Sequence, residues 1–257
     1  MSITTKAGTH ALSLSDVSRN FGGIRAVADI SFDVSHGKRL TIIGTNGAGK
    51  STLFNLITGV YPLSSGSISI FGEDVSKKPA HSRANIGIAR TFQTSKLFQG
   101  LTIRENLYTA LRQALGKKKI SWLANPAASE SLRDESSQIL TRVDLLKKAD
   151  ILVSDISHGE SRQLEVAMAL AMRPKILMLD EPAAGISPTE RGRLVDLLIS
   201  LDKEITLILI EHDMAVALAV ADEVIVMHDG NMFLQGSPDE IRSSSAVRNL
   251  YLGSNHE

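Results

Sequence analysis

Three short apolar runs punctuate the chain: Leu40–Ile43, Ile176–Leu179 and Ile205–Ile210. Each has the length of a buried strand, and each is followed by polar or glycine residues and then a helical pattern. That alternation predicts a parallel sheet with crossover helices. After the first run, Lys50–Ile57 carries apolar positions at helical spacing and stops short of Gly59, a residue suited to the left-handed position that closes a helix. After the second, Ser187-Pro188-Thr189-Glu190 reads as a capping box with proline in the first helical position, opening a helix through Leu201. The first forty residues behave differently. Leu12–Val17 and Ile30–Val34 alternate or cluster as antiparallel strands do, as does Gly66–Phe71 with its Ser-Ile-Ser-Ile pattern. From Thr102 to Leu170 the pattern is mostly helical, interrupted at Gly116-Lys117-Lys118-Lys119 and at Asn125-Pro126, which read as a loop. The expected fold is α/β: a mostly parallel core sheet, a helical insertion and a small antiparallel β addition.

Composition narrows the function classes. Lys plus Arg number 28 and Asp plus Glu number 28, which argues against a strongly basic nucleic-acid binder. Cysteine is absent, so thiol catalysis, disulfides and cysteine-ligated metals are excluded together. No apolar run approaches the ~18 residues that suggest a transmembrane helix, and the polar start, Met1–His10, carries no secretory signal pattern.

The strongest chemical signal is Gly44-Thr45-Asn46-Gly47-Ala48-Gly49-Lys50-Ser51, which fits G-x-x-x-x-G-K-[ST] between a predicted strand and a predicted helix. Glycines at these positions let backbone N–H groups curl around phosphates at a helix N-terminus. Lys50 supplies a charge to the β- and γ-phosphates and the Ser51 hydroxyl is a ligand for Mg²⁺. The second signal is Asp180-Glu181 at the carboxyl end of the strand Ile176–Leu179, where open α/β sheets bind ligands. Asp180 is suited to hold Mg²⁺ through water and Glu181 to polarise an attacking water. Together the two predict a protein that binds a nucleoside triphosphate with magnesium.

Further residues stand in a recognisable order around these motifs. Ile156-Ser157-His158-Gly159-Glu160, followed by the helix-patterned Ser161–Ala171, resembles the signature of the ABC-transporter ATPases. Gln93, in Arg90-Thr91-Phe92-Gln93, is similar to the family's glutamine loop, His212 to its switch histidine and Phe21 to its adenine-stacking aromatic. Leu179–Pro188, Glu211–Met214 and Ala246–Gly253 resemble, more narrowly, the LivG-type ATPases that energise uptake of branched-chain and other hydrophobic amino acids, or of related amides and organic acids.

The resemblance implies one P-loop NTPase domain of the RecA-like kind over residues 12–253, with a helical subdomain at about 95–170 and flexible termini at 1–11 and 254–257. It implies ATP and Mg²⁺ as cofactors and a head-to-tail pair of ATPase subunits, identical or related. ATP would rest on Phe21, Gly44, Asn46, Gly47, Ala48, Gly49, Lys50, Ser51, Thr52, Gln93, Asp180 and His212 of one subunit, and on Ser157 and the Gly159 N–H of the other. Ser51, Gln93 and Asp180 would serve the metal; Glu181 would be the general base, aided by His212 and Gln93. Two transmembrane permease subunits and, indirectly, an extracytoplasmic solute-binding protein would be partners, with the chain peripheral on the cytoplasmic face of the inner or cell membrane. A soluble ABC ATPase of cofactor-assembly, repair or translation type is the alternative.

Three positions depart from the family pattern. His158 replaces the first signature glycine, which implies ordinary backbone angles there. Glu160 replaces the signature glutamine, and Ser187 stands where many relatives carry an aspartate that links the two sites.

Overall fold

The computed structural model describes residues 10–91, 97–115 and 130–253. In chain order the strands are β1 (His10–Phe21), β2 (Ile24–Ser35), β3 (Arg39–Gly44), β4 (Ser65–Ile70), β5 (Glu73–Asp74), β6 (Ile88–Arg90), β7 (Ile176–Asp180), β8 (Thr206–Ile210), β9 (Glu223–His228) and β10 (Asn231–Gly236). The helices are α1 (Lys50–Ile57), α2 (Ala80–Ile86), α3 (Ile103–Leu115), α4 (Glu130–Arg142), α5 (His158–Ala171), α6 (Pro188–Ile199), α7 (Met214–Val220), α8 (Pro238–Ser243) and α9 (Ser245–Gly253). Contacts divide the chain into two compact units, one formed by Met1–Ile88 with Asp202–Glu257 and the other by Ala89–Leu201.

The first unit holds two sheets. One is antiparallel in the order β2-β1-β4-β5, as the alternating patterns near the N-terminus predict. Its first strand takes in His10 and Ala11, which the sequence pattern leaves to the terminus; Ala11 is buried and its carbonyl accepts from the Phe71 N–H at 3.0 Å. The register of the β1–β2 pair shifts at four places, one beside Asp16 and one beside Asp29, and both residues have positive φ, 48° and 47°. Short carboxylate side chains tolerate that conformation by bonding locally. Asp29 accepts from the Ser18 hydroxyl at 2.8 Å and lies 2.5 Å from the Arg25 guanidinium.

The other sheet of this unit runs in the order β10-β9-β3-β8, with β9 and β8 parallel to β3 on either side and β10 closing a hairpin onto β9. The interior of β9, Val224–Met227, is a further apolar run and is fully buried. The β8 strand begins at Thr206 rather than Ile205, whose N–H is spent on a turn to Asp202. Against this sheet α7, α8 and α9 close a cluster of Ile43, Ala217, Val224, Val226, Ile241 and Val247.

In the second unit β6 and β7 are neighbours, linked further by the Thr91 N–H to the Met178 carbonyl at 3.0 Å. Helices α3, α4 and α5 pack on one another, and α5 packs on α6 and β7. The described part of the predicted helical stretch is thus mostly helical, with turns and short 3-10 segments between α4 and α5, and the lysine triplet and Asn125-Pro126 lie outside the described residues. Helix α6 ends at Ile199, because Ser200 caps it by returning its N–H to Asp196 and Leu197.

The helix that leaves the phosphate motif is closed at its far end by a buried cation. Thr58 caps α1 and Gly59 follows at φ 76°, as the sequence predicts. The Arg83 guanidinium, on α2, then donates to the carbonyls of Leu56 and Ile57 at 2.7 and 2.8 Å and to Lys78 at 2.9 Å. Only 1% of Arg83 is exposed, so a neutral replacement takes the buried guanidinium from the Ile57 and Lys78 carbonyls and leaves Leu56 with the Gly59 N–H alone, at 3.2 Å. Arg83→Met is expected to cost about 3 kcal/mol of stability; chemical denaturation of the two proteins side by side checks this.

Candidate nucleotide site

The first unit carries the phosphate loop at the turn from β3 into α1. Gly47 and Gly49 have φ of 79° and 94°, and Gly44 has φ of 154°. Two of these glycines also answer to space: a β-carbon on Gly44 would lie 2.2 Å from the Met227 carbonyl oxygen, and one on Gly49 2.3 Å from that of Ala26. Gly47 meets nothing, so its requirement is the backbone angle alone. Hydrogen bonds pin the loop from within and without, the Ala48 N–H to Thr45 at 3.2 Å and the Gly230 N–H to the Ala48 carbonyl at 3.1 Å. Lys50 is buried, and its ammonium donates to the carbonyls of Gly44 and Thr45 at 2.7 and 3.0 Å. Ser51 and Thr52 follow in the first turn of α1, which contains no acidic residue, so the positive end of the helix faces an anion unopposed. Asn46 is exposed at the crest.

His212 lies in the same unit, two residues past β8. The parallel register pairs Ile42 with Ile210, which sets His212 level with Gly44 at the carboxyl ends of their strands. Its backbone N–H donates to the carboxylate of Glu211 at 3.2 Å, and Glu211 itself is fully buried with its N–H on the Ile42 carbonyl. Phe21 ends β1 with 40% exposure, its ring meeting Tyr61 edge-on at 5.4 Å and the Arg19 guanidinium at 4.6 Å. Tyr61 and Arg19 carry no motif in the sequence. Tyr251 of α9 is drawn to the loop as well: burial pushes its phenol up to about 12, against the backbone of Gly44.

The second unit carries the acidic pair and the signature. Asp180 closes β7 and is buried; its N–H donates to the Thr91 hydroxyl at 3.3 Å. The Arg90 guanidinium lies near enough that the Asp180 charge supports it, although burial leaves it below its ordinary value. Glu181 follows with φ 48°, a left-handed angle that glutamate adopts only at a cost. Ser157 is the N-cap of α5 and forms a capping box with Glu160, so the residue that replaces the signature glutamine has a local structural task. His158 is the first residue of α5, with the ordinary angles expected of it, and its ring covers Gly185, where a β-carbon would come within 3.3 Å. A β-carbon on Gly159 would come 2.4 Å from the Glu190 carboxylate, so a side chain there requires that carboxylate to move aside. Ser187 caps α6 in a second capping box, with Glu190. Gln93 lies outside the described residues.

A glycine-built loop around a buried lysine at a strand-to-helix turn, in an α/β fold whose other strands end in an Asp-Glu pair and a histidine, defines a P-loop nucleoside triphosphatase. Residues 27–184 match the family described as ABC transporter. LivG of Salmonella typhimurium, a high-affinity branched-chain amino acid transport ATP-binding protein, is 36% identical over 249 residues, spanning 94% of this chain and 97% of that protein. BraF of Pseudomonas aeruginosa, of the same description, is 37% identical over 248 residues with the same coverage. The solved ADP conformation of MJ1267, an ATP-binding cassette of an ABC transporter, superposes with a TM-score of 0.83 at 28% identity, covering 95% of this chain and 99% of that one. The chain belongs to the ABC transporter family and is one of its ATP-binding ATPases. Among the described residues no helix is long and apolar enough to cross a membrane.

The angle at Glu181 makes a stability prediction that separates backbone from chemistry. Glu181→Gly is expected to be more stable than Glu181→Ala by about 1 kcal/mol, since only glycine adopts that angle freely. Thermal melts of the two variants check it, and equal melting temperatures would count against strain at this residue.

Proposed function

We propose that this chain is the ATP-hydrolysing subunit of a membrane importer for branched-chain or other hydrophobic amino acids, or for related amides and organic acids. The observation that carries the reading is the similarity to LivG and BraF, 36% and 37% identical along 94% of this chain and 97% of each of those proteins. In this reading residues 12–253 act as one ATPase domain, with a helical part at about 95–170. The chain sits at the cytoplasmic face of the membrane against two permease subunits. It pairs head to tail with a second ATPase subunit, identical or related, and an extracytoplasmic binding protein delivers the solute.

The chemistry follows from the residues. Phe21 stacks on adenine, and the loop Gly44–Thr52 wraps the phosphates with its N–H groups. Lys50 is held ready inside that loop; a phosphate takes over the ammonium from the carbonyls of Gly44 and Thr45. Glu181 receives the proton of the attacking water, and His212 and Gln93 orient water and γ-phosphate. Ser157 and the Gly159 N–H serve the nucleotide of the opposite subunit. Among the described residues no group of three or more His, Cys, Asp or Glu side chains is placed to hold a metal by itself. The donor set of Ser51, Gln93 and Asp180 is all oxygen, which suits Mg²⁺ sharing its coordination with phosphate and water. When bound, Mg²⁺ neutralises charge on the phosphate oxygens.

Glu181→Gln is expected to bind ATP with near-native affinity while losing hydrolysis by at least about 100-fold; a phosphate-release assay beside a nucleotide titration checks this, and unchanged turnover would remove Glu181 from its role. Lys50→Ala is expected to weaken ATP binding itself by at least about tenfold. The partners are tested by recovering tagged Glu181→Gln with ATP and Mg²⁺ from detergent-solubilised host membranes. Two polytopic membrane proteins with an ATPase are expected; soluble partners alone would favour the soluble ABC ATPase reading.

A further inference from the structure

Glu190 serves two helices at once. One carboxylate oxygen, Oε2, accepts from the N–H and the hydroxyl of Ser187 at 3.0 and 2.7 Å, which closes the cap of α6. The other, Oε1, accepts from the hydroxyl of Ser157 at 2.9 Å, 33 positions earlier in the chain. The same carboxylate occupies the space over Gly159. The hydroxyl and N–H of Ser187, and then the hydroxyl of Ser157, hold its carboxyl below the usual carboxylate range, so it is ionised at neutral pH.

The helix caps do not require this arrangement. Ser187 and Glu190 complete the α6 box without Ser157, and Ser157 completes the α5 box by accepting from the Glu160 N–H at 3.1 Å. What the extra bond does is commit a proton. A serine hydroxyl has one to give, and that of Ser157 goes to Glu190. In this state the hydroxyl offers no donor to a phosphate oxygen, and an anion approaching the first turn of α5 meets the charge of Glu190 over Gly159. A second carboxylate, Glu160, stands in that turn and is paired with Lys148 at 2.6 Å.

We propose that Glu190 is a positioning residue that holds Ser157 closed to phosphate, taking on the signature serine the place of a γ-phosphate oxygen from the opposing subunit. The inference rests on the role given to Ser157 under the proposed function. Engagement of the signature then requires Glu190 to release Ser157. Because the carboxylate that lets go also holds Ser187, the exchange at the start of α5 is felt at the start of α6.

The test is the ATP dependence of hydrolysis in the complex purified with its native partners. Glu190→Gln keeps the capping pattern but removes the charge and weakens the hold on Ser157. It is expected to lower KM for ATP about fivefold, at the low end of couplings between sites, with kcat within about twofold. Nucleotide affinity of the chain held as a monomer, verified by its hydrodynamic mass so that no opposing signature is present, is expected to stay unchanged. A KM that is unchanged or raised overturns the proposal, and a fall in melting temperature with no change in KM would assign Glu190 to capping alone. The gain must also pass through Ser157: if Glu190→Gln lowers KM equally in a Ser157→Ala background, the proposed route is wrong. Should Ser157→Ala alone leave kcat/KM unaltered, the role of Ser157 itself fails and the inference falls with it. If Glu190→Gln does not fold, Glu190→Asp, which keeps charge and cap but is too short to span both serines, is expected to lower KM likewise.

Discussion

The phosphate loop keeps its shape because other backbone closes on it. The carbonyl of Met227, at the end of β9, stands over Gly44, and that of Ala26, in β2, stands over Gly49. The Gly230 N–H, in the hairpin turn after β9, holds the Ala48 carbonyl, and the Gly230 carbonyl accepts from Ala28 at 2.8 Å. Three separated stretches of chain thus meet where no side chain fits. The antiparallel sheet, which delivers β2, and the parallel sheet, which delivers β3 and β9, are both needed to make that meeting. The order of the strands serves this closure, with β3 central between β9 and β8 so that loop and His212 emerge side by side.

How far the sequence carries depends on whether a signal is local. The strand, loop and helix around Lys50 are read directly, since glycine spacing, apolar run and helical period adjoin one another. The Ser187 cap is equally local and matches the structure residue for residue. The β9–β10 hairpin is local too: Val224–Met227 is an apolar run, and Asp229-Gly230, with φ of 47° and 77°, carries a common hairpin signal. The second partner of Glu190 had no signal to offer. The capping pattern accounts for that glutamate fully, and nothing in a linear pattern joins it to a serine 33 positions away. The same holds for Tyr61 beside Phe21, and for Glu211, whose burial behind His212 follows only from the pairing of β3 with β8.

Two settings of a non-glycine residue with positive φ contrast here. Asp16 and Asp29 bend a strand pair, with their carboxylates in the local hydrogen bonding. Glu181 follows a fully buried strand, and its carbonyl accepts from the Ala184 N–H at 3.1 Å in the turn that leaves it. Strained angles of this kind cluster at functional sites, which agrees with the water-polarising role proposed for it.

Arg83 has an electrical meaning beyond its hydrogen bonds. Helix α1 has 8 residues, so its ends are about 12 Å apart. The aligned peptide dipoles leave a partial negative charge at the far end and an equal positive one beside the phosphate loop. A guanidinium buried against the negative pole cancels it, and the positive pole is left to act alone. Seen this way, Arg83 belongs to the electrostatics of nucleotide capture although it stands a helix-length away, and the helix works as a one-ended charge rather than as a dipole.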